Sequence, residues 1–419
     1  MKLKIIYAAI ATAPLVVAAP FPAAADGAVP ALWVAQFGKD QGWDSSTHRE
    51  LADVNGDKRA DVVGFFKDGV YVSVSTGTGF GPATRWVANF SPQKGQWQED
   101  NPRFLADVNG DGKDDVVGFG DVAVWVSLSN GTGFDAPQNW VNEFGSDKGW
   151  QMKDSWRSVG DFNGDGMVDV VGWTYDDLTI GMSDGSKFST ANSNKWPIQL
   201  LSKDLTDPNS QGQHPLEATD VNGDGKAEIL SLGVLFTGPP FRPTIHFPER
   251  GTDKKVVLSN LNGISAKDMW IAAHFSRAAT KDVLHLGVPV DLACNMAPAS
   301  SGLKTCAPTF PAFTDNGAGL SVDTSYPTLI GDVNGDGHAD IVNRLGPAAE
   351  ALLFDPNVVS ASGDPYFFTW HAGWVQNGFS DSQSCNYAEC PTLLGDVNAD
   401  GKDDVLFFGT KGVWVSISN

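Results

Sequence analysis

The apolar positions of this chain recur in a fixed order. A short continuous run, Val62-Val63-Gly64-Phe65, is followed after a few polar residues by an alternating one, Val70-Tyr71-Val72-Ser73-Val74. The pair returns as Val116-Val117-Gly118-Phe119 with Val124-Trp125-Val126-Ser127-Leu128, and the run once more as Val170-Val171-Gly172-Trp173. Gly-rich turns such as Thr76-Gly77-Thr78-Gly79-Phe80 lead on to a strand around Trp86, matched one repeat later by Trp140. β-branched runs bounded by Gly, Asn and Asp read as antiparallel strands, about four to a repeat. No sustained helical period is present, so the chain is expected to be all-β.

An acidic loop of nine residues precedes the apolar run, and six copies occur. Position 1 is Asp53, Asp107, Asp161, Asp220, Asp332 and Asp396; position 3 is Asn55, Asn109, Asn163, Asn222, Asn334 and Asn398. Position 5 is Asp57, Asp111, Asp165, Asp224, Asp336 and Asp400; position 9 is Asp61, Asp115, Asp169, Glu228, Asp340 and Asp404. Oxygen side chains in this array suit a hard cation such as Ca²⁺, with the position-7 carbonyls of Arg59, Lys113, Met167, Lys226, His338 and Lys402 completing the shell. One loop alone would read as an Asn/Asp/Gly turn. Six copies predict a metal-pinned repeat architecture with about six structural Ca²⁺ sites. The loops share positions 1, 3 and 5 with the EF-hand but lack its position-12 Glu and its flanking helices. Lys58 replaces the usual Gly at position 6 of the first loop, which predicts a weaker site there.

A degenerate seventh copy fills the gap between Asp220 and Asp332. It places His274, Ser276 and Ala278 at positions 1, 3 and 5, where no metal is expected, and keeps the following strand through Asp282–Gly287. Seven repeats of four strands fit a β-propeller. The last residues, Gly412–Asn419, match the third strand of a repeat, and Leu32–Phe37 resembles the fourth-strand segment Arg85–Phe90. Pairing the two would close a ring and remove a sheet edge. Residues 26–419 are therefore expected to form a single seven-bladed propeller.

Residues 1–25 read as a secretory signal: Lys2 and Lys4, an apolar run from Ile5 to about Ala19, and a small-residue site at Ala23-Ala24-Ala25. The run is short and broken by Pro14 and Pro20, which disfavours a membrane anchor. A secreted protein without membrane insertion is expected. Fifty acidic residues against 29 basic give a formal charge of −21, which argues against nucleic acid as a partner. Six bound Ca²⁺ would return about 12 positive charges, so the acidity is mostly loop chemistry. Four cysteines point to loop-closing disulfides, Cys294–Cys306 and Cys385–Cys390 being favoured among three pairings.

No catalytic residues stand out. Gly181-Met182-Ser183-Asp184-Gly185 matches the serine-hydrolase elbow, but Ser183 aligns with Ser75 and Ser129 at the end of a repeated strand. A more suggestive set precedes the first three acidic loops: Trp43 with His48 and Arg49, Trp97 with Arg103, and Trp150 with Trp156 and Arg157. A Trp on a Gly-rich loop with an Arg about six residues on suits a sugar, the indole covering a pyranose face while Arg bonds hydroxyls. The competing reading makes these Trp residues plugs between sheets and each Arg a strand-edge ion pair. Trp33, Trp86, Trp140 and Trp196 lie within strands and read as core. His214 lacks a loop Trp and Trp374 lacks an Arg, so about three such sites are expected.

These features together resemble the FG-GAP/VCBS-type repeats of integrin-like propellers, and especially lectins of the Psathyrella velutina lectin type. The resemblance is close in the first three repeats, weakens through residues 197–320 and recovers around the last two acidic loops. It implies a calcium-containing propeller binding N-acetylglucosamine-type or related sugars in pockets between neighbouring blades, at the Trp/Arg positions above. A multivalent lectin without enzymatic activity is the expected function, with glycans or glycoproteins as partners and a monomer sufficing for multivalency. The alternatives are an integrin-like protein-binding adhesion module using the insertions at 236–270 and 288–326, and a polysaccharide-acting enzyme. Two N-glycosylation sequons, Asn89-Phe90-Ser91 and Asn130-Gly131-Thr132, matter only in a eukaryotic secretory pathway.

Overall fold

The computed structural model describes residues 27–98, 101–151, 155–174, 178–190, 195–196, 212–221, 223–234, 241–249, 252–259, 269–273, 282–286, 292–295, 302–305, 307–308, 328–345, 348–354, 368–375 and 389–419. The expected signal, Asn222, the degenerate loop at His274, and Cys306 and Cys385 lie outside the described residues. Cys390 is buried and not free. Among the described residues there is no α-helix, only two single 3₁₀ turns, Lys39–Gln41 and Ser146–Lys148. No helix there is long and apolar enough to cross a membrane.

The strands among the described residues form seven hydrogen-bonded sheets. His48–Ala52, Asp61–Phe66, Gly69–Ser73 and Thr84–Val87 make one antiparallel meander; Arg103–Ala106, Asp115–Phe119, Val124–Ser127 and Gln138–Val141 make the next. Ser155–Gly160, Asp169–Thr174 and Leu178–Ser183 begin a third on the same plan. In Asp61–Phe66, Asp115–Phe119 and Asp404–Phe408 the continuous apolar run is the second strand of its sheet, buried because sheets lie on both of its faces. Ala31–Val34 pairs antiparallel with Val413–Ser416, so both ends of the chain share one sheet with Thr392–Gly395 and Asp404–Phe408. One sheet departs from the antiparallel expectation. Gly302–Thr305, within an insertion, adds parallel to Thr252–Ser259 and covers what would be an open edge.

Neighbouring sheets approach through their first strands, as His48–Ala52 does Thr392–Gly395 and Ser155–Gly160 does Gly212–Thr219. Four contacts then repeat at the junctions. The position-8 amide of an acidic loop donates to the position-1 carbonyl of the preceding one: Ala60 to Asp396 at 2.7 Å, Asp114 to Asp53 at 2.8 Å, Val168 to Asp107 at 2.9 Å, Ala227 to Asp161 at 2.6 Å and Asp403 to Asp332 at 2.7 Å. A serine at or two residues past the end of the third strand donates to the position-2 carbonyl of the preceding loop: Ser75 to Val397, Ser129 to Val54, and Ser183 to Val108 at 2.6 Å. Ser183 is thereby a cross-sheet clamp, and the elbow-like pentapeptide around it is a turn. Fourth-strand Trp33, Trp86 and Trp140 pack on Phe80, Phe134 and Phe188 of the following sheet, ring centroids 5.3, 5.2 and 5.0 Å apart. The fourth contact is made by the arginines of the candidate site.

The glycine inside each apolar run has its own reason. A Cβ at Gly64 would lie 2.3 Å from Trp43 Cη2, at Gly118 2.4 Å from Trp97 Cη2, and at Gly172 2.4 Å from Trp150 Cζ3. Each loop Trp rests its six-membered ring on that bare backbone. Gly118→Ala is expected to destabilise the protein by about 1–3 kcal/mol, as overpacking does. Urea denaturation checks this, and an unchanged midpoint would show that the Trp97 ring can move aside.

Candidate functional site

Phe37, Phe90 and Phe144 precede the Trp-bearing loops and hold left-handed backbone, with φ of 64°, 55° and 62°. For a bulky residue this conformation is costly and marks a constrained place. It aims each carbonyl at the arginine of the following strand: Phe37 accepts from Arg49 Nη1 at 3.2 Å, Phe90 from Arg103 Nη1 at 3.0 Å, and Phe144 from Arg157 Nη1 at 3.3 Å. Each guanidinium also lies over an aromatic ring of the preceding sheet: Arg49 over Phe408 at 5.6 Å, Arg103 over Phe65 at 5.5 Å, Arg157 over Phe119 at 5.9 Å. A desolvated cation–π contact of this kind contributes about 2 kcal/mol. Arg49 further reaches across to the Glu389 carbonyl at 2.8 Å. Burial holds its pKa down at about 10, against a small upward pull from Asp44, and it remains a cation at neutral pH.

The indoles are not platforms. Trp43, Trp97 and Trp150 are 4, 5 and 5 % exposed. Their rings lie against Phe37, Phe90 and Phe144 at centroid distances of 4.9, 4.9 and 5.1 Å, with the glycines beneath. The expectation of an open indole face for a sugar is corrected on this point: the glycine and phenylalanine already occupy the ring. The pyrrole edge keeps a polar partner, Trp97 Nε1 donating to Asn89 Oδ1 at 2.8 Å and Trp150 Nε1 to Glu143 Oε1 at 3.2 Å. His48 is exposed, opposite Phe65 in register. Trp156 is half-buried opposite Trp173. The side chains of His214 and Trp374 lie outside the described residues.

At the junction of the first two meanders these parts surround a cavity of ≈520 Å³. Ser46, Thr47, Phe65, Phe66 and Lys67 come from one side, and Pro92, Trp97, Gln98 and Arg103 from the other. The structure thus brings Trp97 and Arg103 to one wall, as the sequence pairs them, but adds a phenylalanine pair and a lysine from the neighbouring repeat. Arg103 Nε is buried without a hydrogen-bond partner. Beside it is Glu50, whose carboxyl is pushed from 4.5 up to about 7, chiefly by burial, with Arg103 pulling it back. Phe104 and Leu393 stand at the matching places of two other sheets, so the carboxyl set against Arg103 from the preceding sheet does not recur at the Arg157 and Arg49 junctions.

The acidic loops are pre-organised by backbone amides. Asp53 Oδ1 accepts from Gly56 N at 2.7 Å and Asp57 N at 3.1 Å, and its Oδ2 accepts from Lys58 N; the same web recurs at Asp107, Asp332 and Asp396. Position 9 is a bracket: Asp61 is fully buried and accepts from Val54 N at 3.3 Å and Ser75 N at 2.7 Å. Two of the roughly four lone-pair directions of that carboxylate are thereby used. Asp115, Asp169 and Asp404 repeat this. Burial pushes all four carboxyls up to about 7, with the position-1 and position-5 carboxylates adding repulsion. Neighbouring cations answer part of that charge: Arg59 pairs with Asp57, and Lys113 Nζ with Asp111 at 2.9 Å. Among the described residues no group of three or more His, Cys, Asp or Glu side chains converges as a ready metal centre. Asn55, Asn109, Asn163, Asn334 and Asn398 turn Nδ2 to the position-5 carboxylate here, but positions 1, 3 and 5 all carry side-chain oxygens, a donor set that fits a hard cation.

The FG-GAP-like repeat family matches residues 107–171 and 161–231, two successive units of the pattern. Over residues 107–231 the chain is similar to FG-GAP-like repeats. Its fold is shared with an Agrocybe aegerita lectin described for recognition of non-reducing terminal N-acetylglucosamine, at 22% identity, 92% of this chain and 88% of that one, TM-score 0.64. More distant likenesses are BBS1N in complex with ARL6DN, at 10% identity, 94% and 97% coverage and TM-score 0.44, and Drosophila Semaphorin 1a, at 10%, 95% and 88%, and 0.41. No curated protein matches the chain.

Sequence reasoning missed Phe90, Asn89, Glu50 and Gly118. One internal signal exposes the glycine. The three repeats with a loop Trp have Gly64, Gly118 and Gly172 in the second strand, whereas other repeats place Ser231, Asn343 and Phe407 there. Glu50 makes a pH prediction. Its folded pKa lies above its unfolded value, so folding takes up a proton between about pH 4.5 and 7 and stability falls as pH rises through that window. Glu50→Gln is expected to gain on wild type across that interval by up to about 3 kcal/mol. Denaturation at pH 4.5 and pH 8 measures it, and a constant difference would contradict the burial of this carboxyl.

Proposed function

We propose that this protein is a secreted carbohydrate-binding protein, a lectin, whose sheets are the seven blades of a propeller closed by the pairing of Ala31–Val34 with Val413–Ser416. The observation that carries the reading is the ≈520 Å³ cavity between the first two meanders, walled by Trp97, Arg103, Phe65, Phe66 and Lys67. Its size suits one or two sugar rings, and its mixed aromatic and hydrogen-bonding lining suits a pyranose. The fold relative that recognises terminal N-acetylglucosamine supports that sugar class as the first to test. Phe66 and the edge of Trp97 would supply apolar contact in place of an open indole face. Lys67 and Gln98 would bond hydroxyl or N-acetyl groups at the rim. The equivalent junctions at Arg49 and Arg157 are further candidate pockets.

Binding is tested by calorimetric titration with N-acetylglucosamine and its β-linked dimer, preceded by a glycan array. Lys67→Ala with Gln98→Ala, both exposed and outside the core, is expected to weaken the affinity about tenfold, or about 1.4 kcal/mol. Binding equal to wild type in the double variant would move the site elsewhere, and silence across the array would remove the lectin reading.

Calcium is part of the same proposal. Positions 1, 3 and 5 of the six loops, with the position-7 carbonyls, would hold Ca²⁺, and its charge would relieve the mutual repulsion that burial imposes on their carboxylates. With ~1 mM Ca²⁺ and a Kd of ~10⁻⁴ M, each site would stabilise the fold by roughly 1.4 kcal/mol, and six independent sites by roughly 8. Excess EGTA is therefore expected to lower the melting temperature markedly, with recovery on adding Ca²⁺. A melting curve indifferent to both would exclude structural calcium.

A further inference from the structure

The two sequons differ sharply in their surroundings. Asn89 stands at the cavity end of its sheet, half-buried, with Oδ1 accepting from Trp97 Nε1 at 2.8 Å and from Phe90 N at 2.7 Å. Its hydroxyl residue, Ser91, is 0 % exposed and folded into the turn through Lys94. Neither the amide nor the serine is presented to a modifying enzyme, and a glycan on Asn89 Nδ2 would meet the loop that carries Trp97.

Asn130 is the opposite case. It and Thr132 are exposed on the turn after Val124–Ser127, with Gly131 at φ +81° bending the chain between them. Asn130 Oδ1 accepts from Thr132 N at 3.1 Å and from Thr132 Oγ1 at 2.9 Å, so the hydroxyl already sits against the acceptor amide. Asn130 Nδ2 donates to Asp135 Oδ1 at 3.2 Å, a bond that needs only one of its two hydrogens. The turn lies beside the acidic loop of the preceding sheet: a Cβ on Gly131 would come 3.6 Å from the Asn55 carbonyl. Acidic loops and third-strand turns occupy one end of the strands. Phe65, Phe66, Lys67, Trp97 and Gln98 occupy the other.

We propose that Asn130 is an N-glycosylation site and Asn89 is not, so that a glycan stands on the acidic-loop face and leaves the cavity face open. In the transfer, Asn130 Nδ2 bonds to C1 of an oligosaccharide carried on a lipid pyrophosphate. The C1–O bond to the pyrophosphate breaks, the lipid pyrophosphate leaves, and Nδ2 loses one proton while keeping the other. The proposal is independent of what the cavity binds, since its readout is covalent occupancy.

The full chain is expressed through a eukaryotic secretory pathway, released with peptide-N-glycosidase in ¹⁸O-water, and mapped by peptide mass spectrometry. Asn130 is expected to carry the ¹⁸O label in most molecules and Asn89 in none. Thr132→Ala should abolish the label at Asn130 and Thr132→Ser should retain it, both in correctly folded, secreted protein. An unmodified Asn130 in secreted protein, or a glycan on Asn89, would overturn the assignment.

Discussion

The bond on which the structure depends is a backbone one, from the eighth residue of each acidic loop to the first residue of the loop before it. It recurs at five described junctions, between 2.6 and 2.9 Å. A four-stranded sheet of this size cannot bury both faces alone. Its second strand is nonetheless apolar on both sides, so each sheet needs a neighbour at a fixed angle and height. Loop-to-loop hydrogen bonds set the height at one end. At Asp114 and Asp403 the side chain returns the bond, accepting from Asp53 N and Asp332 N at 3.0 Å. Once loops are in register, the serine clamps, the Trp–Phe contacts and the Arg–Phe contacts fall at constant offsets from them. That explains why a nine-residue motif can index the rest of the repeat.

Much of the architecture was therefore legible in sequence. Period-two alternation, the continuous apolar run and the loop spacing are direct consequences of a strand buried on one or both faces. The strand at Leu32 was readable as the missing partner of Val413–Ser416 because its sequence copies Arg85–Phe90. The parallel strand Gly302–Thr305 was not. It belongs to an insertion outside the repeat, and edge pairing of that sort uses backbone groups that any residue supplies.

The site was legible in position but not in kind. A Trp followed at fixed distance by an Arg is the pattern of a sugar subsite and equally of a structural wedge, because both need a large flat side chain beside a planar cation. What separates them is the partner surface, and that comes from elsewhere in the chain: Gly118 beneath Trp97, Phe65 beneath Arg103. The glycine is the informative residue, since the indole and the phenylalanine ring beside it lie on the strand backbone and together forbid a Cβ there. Phe90 adds the second clue by holding left-handed backbone to bring its carbonyl to Arg103.

The same dependence on neighbours makes the junctions unequal although their repeats look alike. A pocket between sheets is lined by the leading edge of one repeat and the trailing edge of another, so identity at Trp/Arg positions does not ensure identity of pockets. At the cavity, Glu50 faces Arg103, whereas Phe104 fills the matching place one sheet later. A carboxyl there keeps the guanidinium partly neutralised but resists ionising itself, and the pair is poorly solvated. The arginine that could bond a ligand is thus tuned by a residue of a different repeat, Glu50, which stands beside that repeat's own Arg49. Ligand preference among such junctions must be sought in these non-repeating residues, since the repeating ones are already committed to holding the sheets together.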